Sequence, residues 1–261
     1  MHMDIVELRA WYHSELGRKA SQAIGMSLSR IWEPVANERL LGLGYTRPWL
    51  ERFEPDTDRT MAFMLANHGA ARWPRTGPSK TALVFDEELP LTDSAVDRIL
   101  MVHVLEHAEN PRETLMEMWR VLAPNGRLVI VVPNRQGVWA RVETTPFGTG
   151  RPYSRAQIIK LLRETNFTAT AETEALFFPP SRRFLTYKLS GRIEAIGLRL
   201  WPMLSGVLII EAQKRLYQGL PVTERQSRRV FVPVFAPQGS VAGRTKRQST
   251  KPAIADHKEL T

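Results

Sequence analysis

Residues 82–134, ALVFDEELPLTDSAVDRILMVHVLEHAENPRETLMEMWRVLAPNGRLVIVVPN, decide the fold. In order they read as a short strand, an acidic turn, a buried strand over 98–102, a helix beginning near Pro111, a Pro-Asn-Gly turn at 124–126 and a second buried strand over 127–132. Both longer strands are near-continuous apolar runs. Strands that are apolar on both faces need cover on both, and a βαβ unit supplies it by laying helices over a parallel sheet, so an α/β protein is expected.

Working outward, residues 59–65 (RTMAFML) fit a further strand and residues 39–42 a short first one. A helix is expected after Pro48, because proline suits a first helical turn and Trp49, Leu50 and Phe53 make an apolar face. Residues 3–32 carry Ile5, Leu8, Trp11, Tyr12, Ile24 and Leu28 at helical spacing, broken near Gly17, so one or two helices precede the sheet. On the other side, residues 134–153 are rich in Gly, Pro and Thr and read as a long functional loop carrying Trp139 and Phe147. Ser154 is an N-cap for a helix reaching Glu164; residues 167–178 read as a strand, 181–201 as an inserted helical region and 205–214 as the last strand. The expected organisation is cover helices at 1–36, an α/β domain at 37–220 and an extension at 221–261.

A chain of 261 residues holds one large α/β domain and is short for two. Its 43% hydrophobic and 24% charged content are ordinary for a globular protein. No apolar run approaches the ~18 residues of a membrane span, so no integral membrane segment is expected. The opening MHMDIVELRAWYHSEL carries acids where a secretory signal carries positive charge and an apolar core, which makes the cytoplasm the default location. With no cysteine there is no disulfide or thiolate chemistry, a composition compatible with either redox compartment. The net charge of +9 is concentrated at the end: from residue 223 onward eight Lys or Arg stand against three acids, so that stretch carries +5. It is rich in Gln, Ser, Thr and Gly and has no aromatic after Phe235, so it reads as a solvated tail without a fixed fold, and nucleic acid is not expected as a partner.

The central stretch also resembles the middle of a small-molecule class I methyltransferase, the type dependent on S-adenosylmethionine. That family runs through an acidic D-x-x-x-L-P turn, an S-x-D-x-V segment, a V-L-E-H helix start and an R-V-L-x-P-G-G turn. Here the same places hold 86–90, 94–99, 104–107 and 120–126, with Asn125 in place of a glycine. The resemblance implies a Rossmann-like, seven-stranded, mostly parallel sheet with N-terminal helices and a helical insertion before the last strand. It implies S-adenosylmethionine as cofactor, bound by Gly42, Gly44, Tyr45, Asp86, Glu87 and His103. Two departures stand out. In ERLLGLGYTRPWLERF, Leu40 replaces the family's acid and Thr46 its third glycine. The family's second strand ends in an acid that accepts hydrogen bonds from the ribose hydroxyls, and RTMAFMLANHG offers Asn67 instead. Each such charge-assisted bond contributes roughly 1.5–3 kcal/mol, so weakened cofactor binding is expected.

HVLEH puts His103, Glu106 and His107 at i, i+3 and i+4, one face if the segment is helical. That set can supply a general base, hold a divalent metal, as in the similar ubiquinone-pathway O-methyltransferases, or merely orient the helix start. His103, Glu106 and His107 are the candidate catalytic residues, and no metal is assigned. In 181–201, Leu185, Leu189, Ile193, Ile196 and Leu200 recur at helical spacing among basic residues, which suits a cover helix or a surface for a lipid-like substrate. Two functions follow: methyl transfer to a small-molecule or lipid-like acceptor, or a methyltransferase-like module without catalysis that binds a protein partner.

Overall fold

The structure is a computed structural model, and its described residues are 3–32, 35–180 and 205–215. Seven strands form one sheet: β1 Arg39–Gly44, β2 Arg59–Leu65, β3 Thr81–Val84, β4 Val96–Val102, β5 Leu122–Pro133, β6 Phe167–Ala175 and β7 Val207–Lys214. Their order is β3-β2-β1-β4-β5-β7-β6, and β7 alone runs antiparallel to its neighbours. This is the seven-stranded, mostly parallel α/β sheet that the sequence implied. The helical insertion expected at 181–201 and the tail expected at 221–261 lie outside the described residues.

Alternation along the buried strands sorts the core into two layers. Leu40, Leu100, Val102 and Val129 point to one face, where they meet Ala20, Ile24 and Leu28 of helix α2 (Glu15–Ile31). Leu41, Leu43, Ile99 and Met101 point to the other, where they meet Leu115 and Met118 of α4 (Pro111–Val121) and Ile158 and Leu162 of α5 (Arg155–Glu164). Ser154 caps α5 in a capping box with Gln157, as its place before the apolar run suggested.

Several boundaries differ from the sequence reading for local reasons. The first strand continues to Gly44, so both glycines of LGLG belong to the strand. The N-terminal helices part at Ser14, which ends α1 (Ile5–His13) and accepts from the Gly17 backbone to cap α2. Gly17 is needed next to that break, because a Cβ there would collide with the Trp11 carbonyl. Asn125 holds φ 61, the left-handed backbone that asparagine tolerates and the family fills with glycine. The strand expected over 167–178 ends at Ala175.

Candidate active site

The strand order turns about β1 and β4: from β1 the chain moves to β2 and β3 on one side, and then crosses to β4 and β5 on the other. Open α/β sheets take their ligands at the carboxyl ends of the strands flanking such a switch point. Three segments meet there: Gly44 to Thr46 after β1, Ala66 to Ala71 after β2, and His103 to His107 after β4.

Gly44 has φ +81, and the next amide, Tyr45 N–H, donates to the Val102 carbonyl at 3.0 Å, tying the loop to β4. A Cβ on Gly44 would strike that carbonyl and the Val104 side chain; one on Gly42 would strike Thr46 and Leu50. Both glycines are therefore required by the chain's own packing. Thr46, in the family's third-glycine place, is fully buried, and its Oγ1 has no hydrogen-bond partner among the described residues.

His103 leaves β4 with φ 57, a rare conformation for a non-glycine residue and one concentrated at functional sites. The expected helical face is not formed: residues 103–107 make a turn, and α4 begins only at Pro111 behind the Asn110 cap. Within that turn His103 and Glu106 still meet, Nδ1 lying 3.0 Å from Oε1, both side chains 1% exposed. His107 turns elsewhere. Its half-buried ring stands with its centroid 5.0 Å from that of His68 and packs on Gly150. Burial alone would raise the Glu106 carboxyl; the hydrogen bond from His103, with the charges of His103 and His107, outweighs it and holds the group below the ordinary carboxylate range. An ionised carboxylate only accepts, so Nδ1 of His103 donates to it, and in the neutral imidazole that leaves Nε2 as an acceptor.

That acceptor has a partner: the Tyr12 hydroxyl lies 2.8 Å from Nε2 of His103 and donates to it in this tautomer. The Tyr12 ring stacks on Tyr45 with centroids 4.9 Å apart and meets Trp49 edge-on. Burial, with Tyr45 and Glu106 nearby, pushes its hydroxyl well above the usual phenol range, so it stays protonated. Helix α1 reaches this position by lying across the strand ends: Ile5 N–H donates to the His68 carbonyl beyond β2 at 2.8 Å, and Trp11 packs on Trp139 and Phe147. The sequence reading took Tyr12 as one apolar residue of a cover helix. Its spacing suited that role, and nothing local announced a partner 91 residues away.

The other expected cofactor residues are dispersed. Asp86 accepts from the Thr114 hydroxyl at 2.7 Å, which fastens the acidic turn to α4, and Glu87 is exposed beside it. Asn67 is exposed in the turn after β2. Among the described residues no cluster of three or more His, Asp or Glu could hold a metal ion, and no helix is long and apolar enough to cross a membrane.

Residues 42–130 match the family model of the methyltransferase domain. Over this stretch the chain is similar to the S-adenosylmethionine-dependent methyltransferases. A Mycolicibacterium smegmatis protein described as a probable S-adenosylmethionine-dependent methyltransferase is 33% identical over 102 residues, 38% of each chain. A Mycobacterium tuberculosis protein of the same description is 30% identical over 143 residues, 52% of this chain and 50% of that one. In fold, a SAM-dependent methyltransferase of Thermotoga maritima superposes with a TM-score of 0.60 at 17% identity, covering 81% of this chain and 95% of that one. The chain spans between 38% and 67% of the length of the curated relatives it matches.

The site fits the cofactor of that family on one side and departs from it on the other. The left-handed Gly44 backbone is in place, and two buried oxygens of the segments after β1 and β4, Thr46 Oγ1 and Glu106 Oε2, have no hydrogen-bond partner among the described residues. On the ribose side the acid is replaced by Asn67, and the volume between Tyr45 and His103 is filled by Tyr12.

Proposed function

We propose that this chain transfers a methyl group from S-adenosylmethionine to a hydroxyl of a small-molecule acceptor, with His103 as the base. The observation that carries the reading is the buried series Glu106, His103, Tyr12: an imidazole fixed by a carboxylate presents its basic nitrogen 2.8 Å from a hydroxyl at the switch point. S-adenosylmethionine, when bound, supplies an electrophilic methyl on a sulfonium. The chain's own residues do the rest. His103 takes the acceptor's proton at Nε2, and Glu106 keeps the ring oriented and stabilises the imidazolium that results. Tyr12 holds that same nitrogen, so α1 has to move aside for an acceptor to reach it. His107, on the far side of the turn, braces His68 and the Gly150 loop and takes no part in proton transfer. The 181–201 periodicity supports extending the acceptor class to lipid-like molecules.

Labelled S-adenosylmethionine and a small-molecule extract test the reading. A labelled product is expected, falling ~10²-fold in His103→Ala and ~10-fold or more in Glu106→Gln while affinity for S-adenosylhomocysteine stays within a few-fold. Undiminished labelling by His103→Ala would refute the base.

The second reading, a binding module without catalysis, is favoured by Tyr12 seated in the cleft and by the absent ribose acid. Calorimetry of the folded chain with millimolar S-adenosylhomocysteine separates the two, a flat titration supporting the module.

A further inference from the structure

Beside the strand ends lies a cleft of about 470 Å³ between α1 and the segment that follows β2. Arg9 of α1, Arg47 at the start of α3 (Arg47–Phe53), and Arg72 and Arg75 beyond β2 line it together with Ala70 and Ala71, and no Asp or Glu does. Only part of this charge is compensated. Arg47 lies 3.2 Å from Glu51, which is outside the lining, and Arg72 donates to the Gly77 carbonyl, which fixes its direction. Arg9 and Arg75 have no ion-pair partner among the described residues. Four arginines lining one concavity with no acid among them place like charges close together, and a bound anion offsets that repulsion. Their planar forks match phosphate oxygens two at a time, and the alanine side chains leave room for an anion to approach the backbone.

The position of the cleft narrows the ligand. In dinucleotide-binding sheets, an acid at the end of the second strand accepts from a ribose hydroxyl, and an arginine there instead admits a ribose phosphate. Here the acid's place holds Asn67, and Arg72 and Arg75 follow within eight residues. An end of the sheet with no carboxylate at Asn67 and with arginines lining the adjacent cleft suits an anion better than a neutral diol. We propose that the cleft binds a phosphate monoester dianion, carried either by a nucleotide or by a phosphorylated small molecule. The proposal does not rest on the methyl-transfer reading.

The full chain is titrated by calorimetry at low ionic strength with adenosine 2′-monophosphate and glycerol phosphate, each against its unphosphorylated counterpart. At least one phosphorylated probe is expected to bind tenfold or more tightly than its counterpart, with an affinity that falls as salt is added. A preference for the nucleotide identifies a nucleotide phosphate; equal binding of both probes identifies the phosphate on a small molecule. The Arg72→Ala/Arg75→Ala double variant and Arg75→Glu change exposed side chains, so the melting midpoint should hold while phosphate binding weakens at least tenfold. No advantage from the phosphate, or binding unmoved in both variants, overturns the proposal. Titration with S-adenosylhomocysteine runs alongside: failure there bears on methyl transfer alone.

Discussion

Tyr12 and Gly44 show how much a single atom decides at the switch point. Removing the Tyr12 hydroxyl leaves Nε2 of His103 buried without its donor, at a cost of roughly 1–2 kcal/mol, while the ring keeps its stack on Tyr45. Tyr12→Phe should therefore lower the melting midpoint by a few degrees and, by loosening α1, increase affinity for S-adenosylhomocysteine in calorimetry. Unchanged stability would mean that the hydrogen bond contributes nothing. At Gly44 an added Cβ meets both the left-handed penalty of ~1–2 kcal/mol and the Val102 carbonyl, so Gly44→Ala should cost about 3 kcal/mol or more in chemical denaturation, with or without ligand. The glycine pair was legible in the sequence as a sign of close approach. What approaches was not legible: at Gly42 it is Thr46 and Leu50, and at Gly44 it is β4, because the register that brings Gly44 opposite Val102 is a tertiary fact. The pairing of His103 with Glu106 was legible from their spacing, since three residues apart is close in a turn as well as in a helix. The packing of His107 against His68 and Gly150 was not, because the segment folds as a turn and not as a helix.

At the scale of elements, the order of strands and helices from β3 to β5 could be read directly, since apolar runs and Pro111 punctuate it, although the Pro-Asn-Gly turn expected at 124–126 falls inside β5, which already begins at Leu122. The placing of α1 could not. Its apolar residues fit any cover helix, and only the packed structure reveals that it spans the ends of β2, β1 and β4. This helix is short, nine residues, and such helices are marginal without their caps. Asp4 and Glu7 form a capping box at its start, with Asp4 Oδ1 accepting from Glu7 N–H at 2.8 Å. Asp4→Ala should cost about 1 kcal/mol locally, with the rest of the domain little affected. If α1 gates the cleft, this variant should bind S-adenosylhomocysteine several-fold more tightly and exchange its α1 amides faster with deuterium. Faster exchange with no gain in affinity would show that α1 covers nothing the ligand needs.

Across the whole molecule the two ends of the sheet divide their labour. The carboxyl ends carry the strained and incompletely satisfied groups of the candidate site, and the amino ends carry ion pairs that hold the strands in register. There Asp97 of β4 accepts from Arg39 of β1 three times, from Nε and Nη2 at 2.8 Å and from the backbone N–H at 2.9 Å. The hydrogen bonds from the Arg39 side chain hold the Asp97 carboxyl below its ordinary 3.8, burial working the other way. A carboxyl whose pKa is depressed by folding adds stability above its unfolded value and gives it up as the pH falls through the folded one. Both partners are partly exposed, which limits the contribution to roughly 1 kcal/mol. Asp97→Asn should thus be less stable than the parent chain by about that amount at pH 7 in urea denaturation. The gap should persist down to about pH 4 and close below it, as the parent's own carboxylate is protonated. Because the change lies at the opposite end of the sheet from His103 and Gly44, affinity for S-adenosylhomocysteine at pH 7 should be unchanged. A gap that stays constant to pH 2 would assign the loss to packing, and a fall in affinity would mean that the two ends of the sheet are coupled.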